Sequence, residues 1–81
     1  MKITIKTFAS LRDAAGFDEK EIIVPEGITI DEVVRRLSVS FEGLAARKGS
    51  LLYAVNEEYA RPDTVLAEGD ILAMFPPVSG G

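Results

Sequence analysis

The chain has 81 residues, a net charge of −4 and neither cysteine nor histidine, and this composition excludes several kinds of chemistry. The chain cannot form disulfides or iron–sulfur clusters, and it cannot supply thiolate or imidazole metal ligands or a catalytic triad that contains histidine. The negative net charge disfavours binding to the phosphate backbone of nucleic acids. The longest apolar run, residues 51–55, is too short to span a bilayer. We expect one small cytoplasmic domain without a metal site, a nucleic-acid partner or a membrane.

The N-terminal segment predicts a strand followed by a short helix. Residues 1–8 alternate with a period of two, and Ile3 and Ile5 share the face that we expect to be buried. Residues 9–15 have helical character, which stops at Gly16 because glycine adopts the left-handed conformation that ends a helix.

The clearest local signal lies at the start of the main predicted helix. Residues 19–24 predict a second strand, with Ile22 and Val24 facing inward. Thr29 and Glu32 then have the spacing of a capping box, so we place the helix at residues 30–37.

The second half of the chain predicts a sheet with one more helix. Residues 41–48 form a second short helix that Gly43 interrupts and Gly49 ends. The strands that follow are predicted at residues 51–56, 59–61 and 71–75. Together these elements predict an α+β fold in which one main helix covers a mixed sheet.

The C-terminal stretch is where we expect function to reside. Pro76 and Pro77 form a stiff extended strut, and the four residues that follow it reach ~13 Å. Glycines at positions 80 and 81 let the backbone pass a narrow channel and leave the terminal carboxylate unhindered. The chemistry would then belong to the main-chain carboxyl group of Gly81. The alternative is a frayed tail that ends in glycine by chance.

Motifs along the whole chain resemble the family of ubiquitin-like β-grasp sulfur carriers that contains the small subunit of molybdopterin synthase. The residues that carry the resemblance are Phe8-Ala9-Ser10-Leu11-Arg12, Ala54-Val55-Asn56-Glu57-Glu58-Tyr59, Leu66-Ala67-Glu68-Gly69-Asp70 and Phe75-Pro76-Pro77-Val78-Ser79-Gly80-Gly81. The last stretch is the most specific, because sulfur carriers of thiamine synthesis usually lack Phe-Pro-Pro before Gly-Gly.

The resemblance implies a β-grasp domain over residues 1–75 and a reactive extended tail over residues 76–81. An adenylating enzyme similar to ubiquitin-activating enzymes would consume ATP to activate the Gly81 carboxylate, and a sulfur-donor protein would convert it to a thiocarboxylate. The tail residues Pro76, Pro77, Val78, Ser79 and Gly80 would thread into the large subunit of molybdopterin synthase, where the sulfur reaches a pterin precursor. The chain itself would hold no stably bound cofactor.

Strand alternation predicts where a partner docks. In the last strand Leu72 and Met74 are assigned inward, which leaves Ala73 and Phe75 outward. A β-grasp sheet pairs its first and last strands in parallel, so Phe8 and Phe75 would form one exposed apolar patch, and exposed aromatic side chains beside a reactive tail suggest a binding surface.

Two further residues are assigned to this docking surface. Tyr59 would join the patch from the neighbouring strand, and Arg12 would pair with an acidic residue of the partner at its rim.

Three alternatives remain open at this point. Gly81 is joined to lysines of target proteins, as in a ubiquitin-like modifier. The sulfur goes to another product, such as thiamine or a tRNA base. The domain is a plain interaction module with an inert tail.

Overall fold

The computed structural model describes residues 1–77, with positions 47 and 48 described by their backbone alone. Within this range the strands are β1 (Lys2–Thr7), β2 (Glu19–Ile23), β3 (Leu52–Val55), β4 (Glu58–Ala60) and β5 (Ile71–Phe75). The helices are α1 (Ser10–Ala15), α2 (Ile30–Ser40) and α3 (Glu42–Arg47), and α3 continues into a 3₁₀ turn, Lys48–Ser50.

All the described strands belong to one mixed sheet with the order β2-β1-β5-β3-β4. The central pair β1 and β5 is parallel, and the other pairs are antiparallel. This confirms the predicted α+β class and the predicted pairing of the first and last strands at the centre of the sheet.

The hydrophobic core lies between one face of the sheet and the helices. Alternation in β1 and β5 buries the predicted inward residues completely or nearly so: Ile3, Ile5, Leu72 and Met74 are 0–1% exposed. The apolar stripe of α2 lies in the same core, with Val33 and Val34 fully buried. Burying each of these side chains stabilises the fold by about 1.5–3 kcal/mol.

The second strand matches its prediction except for its last residue. Val24 is buried as expected but lies just past β2, although its amide still donates to the carbonyl of Met1 over 2.8 Å. Ile22 is half-buried and packs against the core from β2, which is at the edge of the sheet.

The start of α2 is confirmed, and a loop reinforces it. Thr29 and Glu32 form the capping box in both directions. The next two amides are satisfied by the loop before β5: Ile30 donates to the carbonyl of Thr64 over 3.0 Å and Asp31 to that of Pro62 over 2.9 Å. The free amides at the beginning of the helix are therefore paired.

The predicted end of α2 was wrong. The helix continues three residues past Leu37, to Ser40. Ser38 Oγ donates to the carbonyl of Val34 over 2.7 Å, and the amide of Phe41 donates to the carbonyl of Leu37 over 2.9 Å. The three added residues are therefore held by hydrogen bonds, and the last of the apolar side chains, Val39, is 86% exposed.

The role predicted for Gly43 was also wrong. Gly43 lies inside α3, which begins at Glu42 and runs unbroken to Arg47. A Cβ at Gly43 would lie 1.7 Å from the carbonyl oxygen of Ala14, so this glycine lets α3 pack against α1. Gly49 does not end α3 either, because it lies within the 3₁₀ turn.

The turn between β3 and β4 consists of residues 56 and 57, whereas the sequence predicted strands that end at residue 56 and resume at residue 59. Asn56 and Glu57 both have positive φ, 50° and 72°, which is the pattern of a two-residue type I′ turn. Glu58 therefore belongs to β4, opposite Val55, and not to the turn.

No helix within residues 1–77 has the length and apolar character needed to cross a membrane.

Candidate functional site

Because β1 and β5 are parallel, their C-terminal ends lie side by side at one end of the sheet. We call this end, where the two strands finish, the C-terminal edge. The amide of Phe8 donates to the carbonyl of Met74 over 3.2 Å, which extends the pairing one residue past β1. Phe75 is the last residue of β5. The chain therefore leaves the domain beside Phe8 and continues into Pro76 and Pro77.

Three aromatic side chains meet at this edge, and we call Phe8, Tyr59 and Phe75 the aromatic patch. The ring centroid of Phe75 lies 6.2 Å from that of Phe8 and 6.1 Å from that of Tyr59, with interplanar angles of 63° and 79°. Both contacts are edge-to-face, a geometry that stabilises each pair by about 0.5–1.5 kcal/mol. Phe8 is 47% exposed and Tyr59 is 81% exposed, so the patch presents aromatic surface to solvent.

Small residues in the neighbouring strands give the rings their room. Ala54 lies opposite Tyr59 on one side and opposite Ala73 on the other. Because cross-strand partners share a face of the sheet, the two alanines lie on the same face as Tyr59 and leave space there for its ring. Ala73 is half-buried there, on the outward face where the sequence placed it.

Two apolar residues of this surface were missed in the sequence. Leu52, 37% exposed, lies opposite Phe75, and Ile71, 39% exposed, lies opposite Thr4 on the same outer face. The register between β3 and β5 was the missing information. Alternation assigns Leu52 to a face of the sheet, but only the register places it beside Phe75.

Arg12 lies on α1, beside the aromatic patch. Its side chain is exposed and lines a shallow pocket of about 260 Å³ together with Phe8, Ala9 and Lys6. Asp18 and Glu19 line the same pocket, and Glu19 Oε1 lies 3.8 Å from Lys6 Nζ. This rim therefore carries both signs of charge. The structure places Arg12 where the sequence predicted it, and its pairing with a partner stays a prediction.

The tail is described only at its beginning. Pro76 is half-buried and Pro77 is exposed. The tail-threading residues Val78, Ser79 and Gly80 and the terminal Gly81 lie outside the described residues, so their predicted roles remain predictions.

Tyr53, whose phenol has a raised pKa, lies away from this edge, on the face of the sheet that the helices cover. Tyr53 is 6% exposed and pairs with Met74 across the sheet. Burial raises the pKa of its phenol above the usual 10.0, and the negative charge of Asp31 raises it further. Tyr53 is therefore a neutral core residue at physiological pH.

Comparison with known proteins decides the family. Residues 5–81 match the ThiS family. The chain belongs to the ThiS family. This ThiS-family protein is 30% identical to the molybdopterin synthase sulfur carrier subunit of Chlamydomonas reinhardtii, and the match covers 100% of both chains. It is 33% identical to the protein of the same name from Escherichia coli, over 98% of this chain and 99% of that one.

Solved structures confirm the ubiquitin-like β-grasp fold of this ThiS-family protein. The putative molybdopterin converting factor subunit 1 from Pyrococcus furiosus superposes with a TM-score of 0.84 at 31% identity, covering 96% of this chain and 99% of that one. Small archaeal modifier protein 1 from Haloferax volcanii gives a TM-score of 0.83 at 28% identity, covering 95% and 98%. A chain from the complex of subunits 1 and 2 of molybdopterin-converting factor from Helicobacter pylori, 24% identical over 100% of both chains with a TM-score of 0.72, shares the fold.

Proposed function

We propose that this ThiS-family protein is the sulfur-carrier subunit of a molybdopterin synthase. The carboxylate of Gly81 is adenylated, converted to a thiocarboxylate and inserted into the large subunit, where its sulfur reaches a pterin precursor. The observation that carries the proposal is the position of the aromatic patch, which lies beside the point where the tail leaves β5. A partner that binds the patch receives the tail at the same time.

The proposed chemistry uses main-chain atoms of this chain and side chains of its partners. A carboxylate oxygen of Gly81 attacks the α-phosphorus of ATP, and pyrophosphate leaves. A sulfide equivalent from the sulfur-donor protein then attacks the acyl carbon, and AMP leaves with the oxygen. In the synthase the sulfur attacks an oxygen-bearing carbon of the pterin precursor, and a C–S bond replaces the C–O bond as the oxygen leaves. Water then hydrolyses the acyl–sulfur bond, which leaves the sulfur on the pterin and restores the carboxylate of Gly81. The chain has no cysteine, so no internal thiol competes for the activated carboxyl group.

The names of the relatives support this assignment. Full-length relatives are named molybdopterin synthase sulfur carrier subunits, and the Helicobacter pylori structure is a complex of two converting-factor subunits. We propose a large synthase subunit, an adenylating enzyme and a sulfur-donor protein as partners, ATP as a reactant consumed by the adenylating enzyme, and the cytoplasm as the location.

Intact-protein mass spectrometry tests the proposal directly. Incubation with ATP, an adenylating enzyme and a sulfur donor should replace one terminal oxygen by sulfur, and the protein mass should rise by the difference between the two atoms. Deletion of Gly81, or one residue added after it, should abolish the change without altering the thermal unfolding curve. An unchanged mass for the natural chain, with a known carrier active in the same mixture, would contradict the proposal.

A protein-modifier role is the second candidate, because a solved structure with the same fold is named a small archaeal modifier protein. In that role the activated carboxyl group of Gly81 forms an isopeptide bond with a lysine of a target protein. Extracts of cells that express a tagged chain distinguish the two roles. Tagged species of higher mass that survive denaturation and reduction support the modifier, whereas a free chain that carries a thiocarboxylate supports the sulfur carrier. The same cells, assayed for the pterin product, thiamine and thiolated tRNA, show which product depends on the chain.

A further inference from the structure

The outer face of the sheet, on the side away from the helices, carries apolar surface beyond the aromatic patch. Alternation along β5 points Ile71, Ala73 and Phe75 outward, and the register with β3 places Leu52 beside Phe75. Leu52 is 37% exposed and Ile71 is 39% exposed. Because Ile71 precedes Phe75 by four residues, the apolar surface continues about 13 Å from the C-terminal edge along β5.

The other half of the outer face is charged. Strands β1 and β2 present four charged side chains there, which are Lys2, Lys6, Glu19 and Glu21. This charged half begins at the strand next to β5, since Lys6 lies opposite Ala73. The core of a protein interface is depleted in charged residues. A partner that needs more apolar contact than the aromatic patch offers therefore finds it along β5 and β3, and not over β1 and β2.

The aromatic patch is by itself too small for a stable complex between subunits. Such an interface buries about 800 Å² on each partner, and an aromatic side chain has about 150–250 Å² of surface. Phe8 is 47% exposed, Tyr59 is 81% exposed and Phe75 is partly covered, so the three rings offer at most about half of the area required. A stable interface must extend past the patch, whereas a transient contact can be smaller.

We propose that Leu52 and Ile71 extend the docking surface for the large synthase subunit, and that the adenylating enzyme binds without using Ile71. The inference rests on the proposed function, in which the chain is a subunit of the synthase but a substrate of the adenylating enzyme. An enzyme that turns over has to release its product, so tight binding of the chain would slow it. The larger interface is therefore needed only for the large subunit.

The variant Ile71→Lys, assayed with both partners, tests the proposal. Isothermal titration with the large subunit should show a loss of affinity of about 10-fold or more, because a charge replaces apolar surface inside the interface. The KM for the chain in the adenylation reaction, measured by ATP–pyrophosphate exchange, should change by less than about 2-fold. Phe75→Lys should impair both steps. Ile71→Thr, which suits a strand and adds no charge, should weaken only the large-subunit complex, by about 3-fold.

The matched control is Ile23→Lys, the same substitution on the same face of the sheet. Ile23 is 74% exposed on β2, on the far side of the charged half, so its replacement should change neither the affinity nor the KM. Circular dichroism should show an intact fold for each variant.

Each contrary outcome has a distinct meaning. If Ile71→Lys and Ile71→Thr bind the large subunit as tightly as the natural chain does, the inference is overturned and the proposed function stands. Equal losses with both partners, or an equal loss in Ile23→Lys, overturn the inference as well. If the natural chain does not bind the large subunit, the proposed function fails and the inference fails with it.

Discussion

Gly43 in α3 and Ala14 in α1 are in backbone contact: a Cβ on Gly43 would lie 1.7 Å from the carbonyl oxygen of Ala14 and 2.5 Å from its carbonyl carbon. No rotamer change relieves such a contact, because the clashing atoms are main chain. Gly43→Ala must therefore push α3 away from α1, and we expect it to lower the free energy of unfolding by about 3 kcal/mol. Urea unfolding monitored by circular dichroism measures this loss.

The control for this variant is Gly49→Ala, because a Cβ at Gly49 meets no atom within 4 Å and Gly49 does not have positive φ. We expect Gly49→Ala to change the free energy of unfolding by less than about 0.5 kcal/mol. Equal stability of the two variants would show that α1 and α3 do not pack through Gly43.

Phe75 is the central ring of the aromatic patch, and Phe75→Lys should weaken binding of the large subunit. The substitution removes both ring contacts and places a charge where the partner is expected to bind, so we expect a loss of at least about 2 kcal/mol, or roughly 30-fold in Kd. Isothermal titration with the large subunit measures it.

Val39→Lys is the matched control for Phe75→Lys, since it adds the same charge at an 86% exposed position on α2. Its affinity should equal that of the natural chain. An unaltered affinity of Phe75→Lys, with its fold intact by circular dichroism, would refute the role of the patch.

Glu57→Gly should stabilise the β3–β4 hairpin. Glu57 is exposed and has φ 72° at the second central position of the turn, a conformation that costs an L residue about 1–2 kcal/mol and glycine almost nothing. After the larger chain entropy of glycine is subtracted, we expect a net gain of about 0.5 kcal/mol, measured by urea unfolding. Glu58→Gly, one residue later in β4 and without positive φ, should destabilise instead. The same sign for both variants would contradict the turn type.

Tyr53 should make the domain sensitive to alkaline pH. Burial first, and then the charge of Asp31, raise the pKa of its phenol in the folded state. The neutral, buried phenol contributes fully to the free energy of unfolding at pH values below 10.0, its pKa in the unfolded chain. This contribution is lost as the pH rises through the higher pKa of the folded state. In the variant Tyr59→Phe, phenolate absorbance reports Tyr53 alone, because the chain has two tyrosines. We expect its midpoint above 10.0, whereas a midpoint at or below that value would contradict the buried position.

The sequence predicted those features that short-range rules encode. The capping box of Thr29 and the alternation of β1 each depend on residues only a few positions apart. The true role of Gly43 depends on Ala14, a contact between two helices that no local pattern reveals. Ala9 has a positive φ of 55°, which the sequence did not indicate because alanine is not typical of that conformation. Leu52 could be placed beside Phe75 only once the strand register was known.

The sheet order has a consequence for protein synthesis. Because β5 lies between β1 and β3, a ribosome product that stops before Ile71 lacks the middle of the sheet, and β1 and β3 have no strand to join them. Such a fragment also lacks Phe75, so it has neither a complete fold nor the central ring of the aromatic patch. A chain that ends before Ile71 should therefore neither close this sheet nor present the aromatic patch, so every chain that displays the patch has been translated at least as far as Phe75.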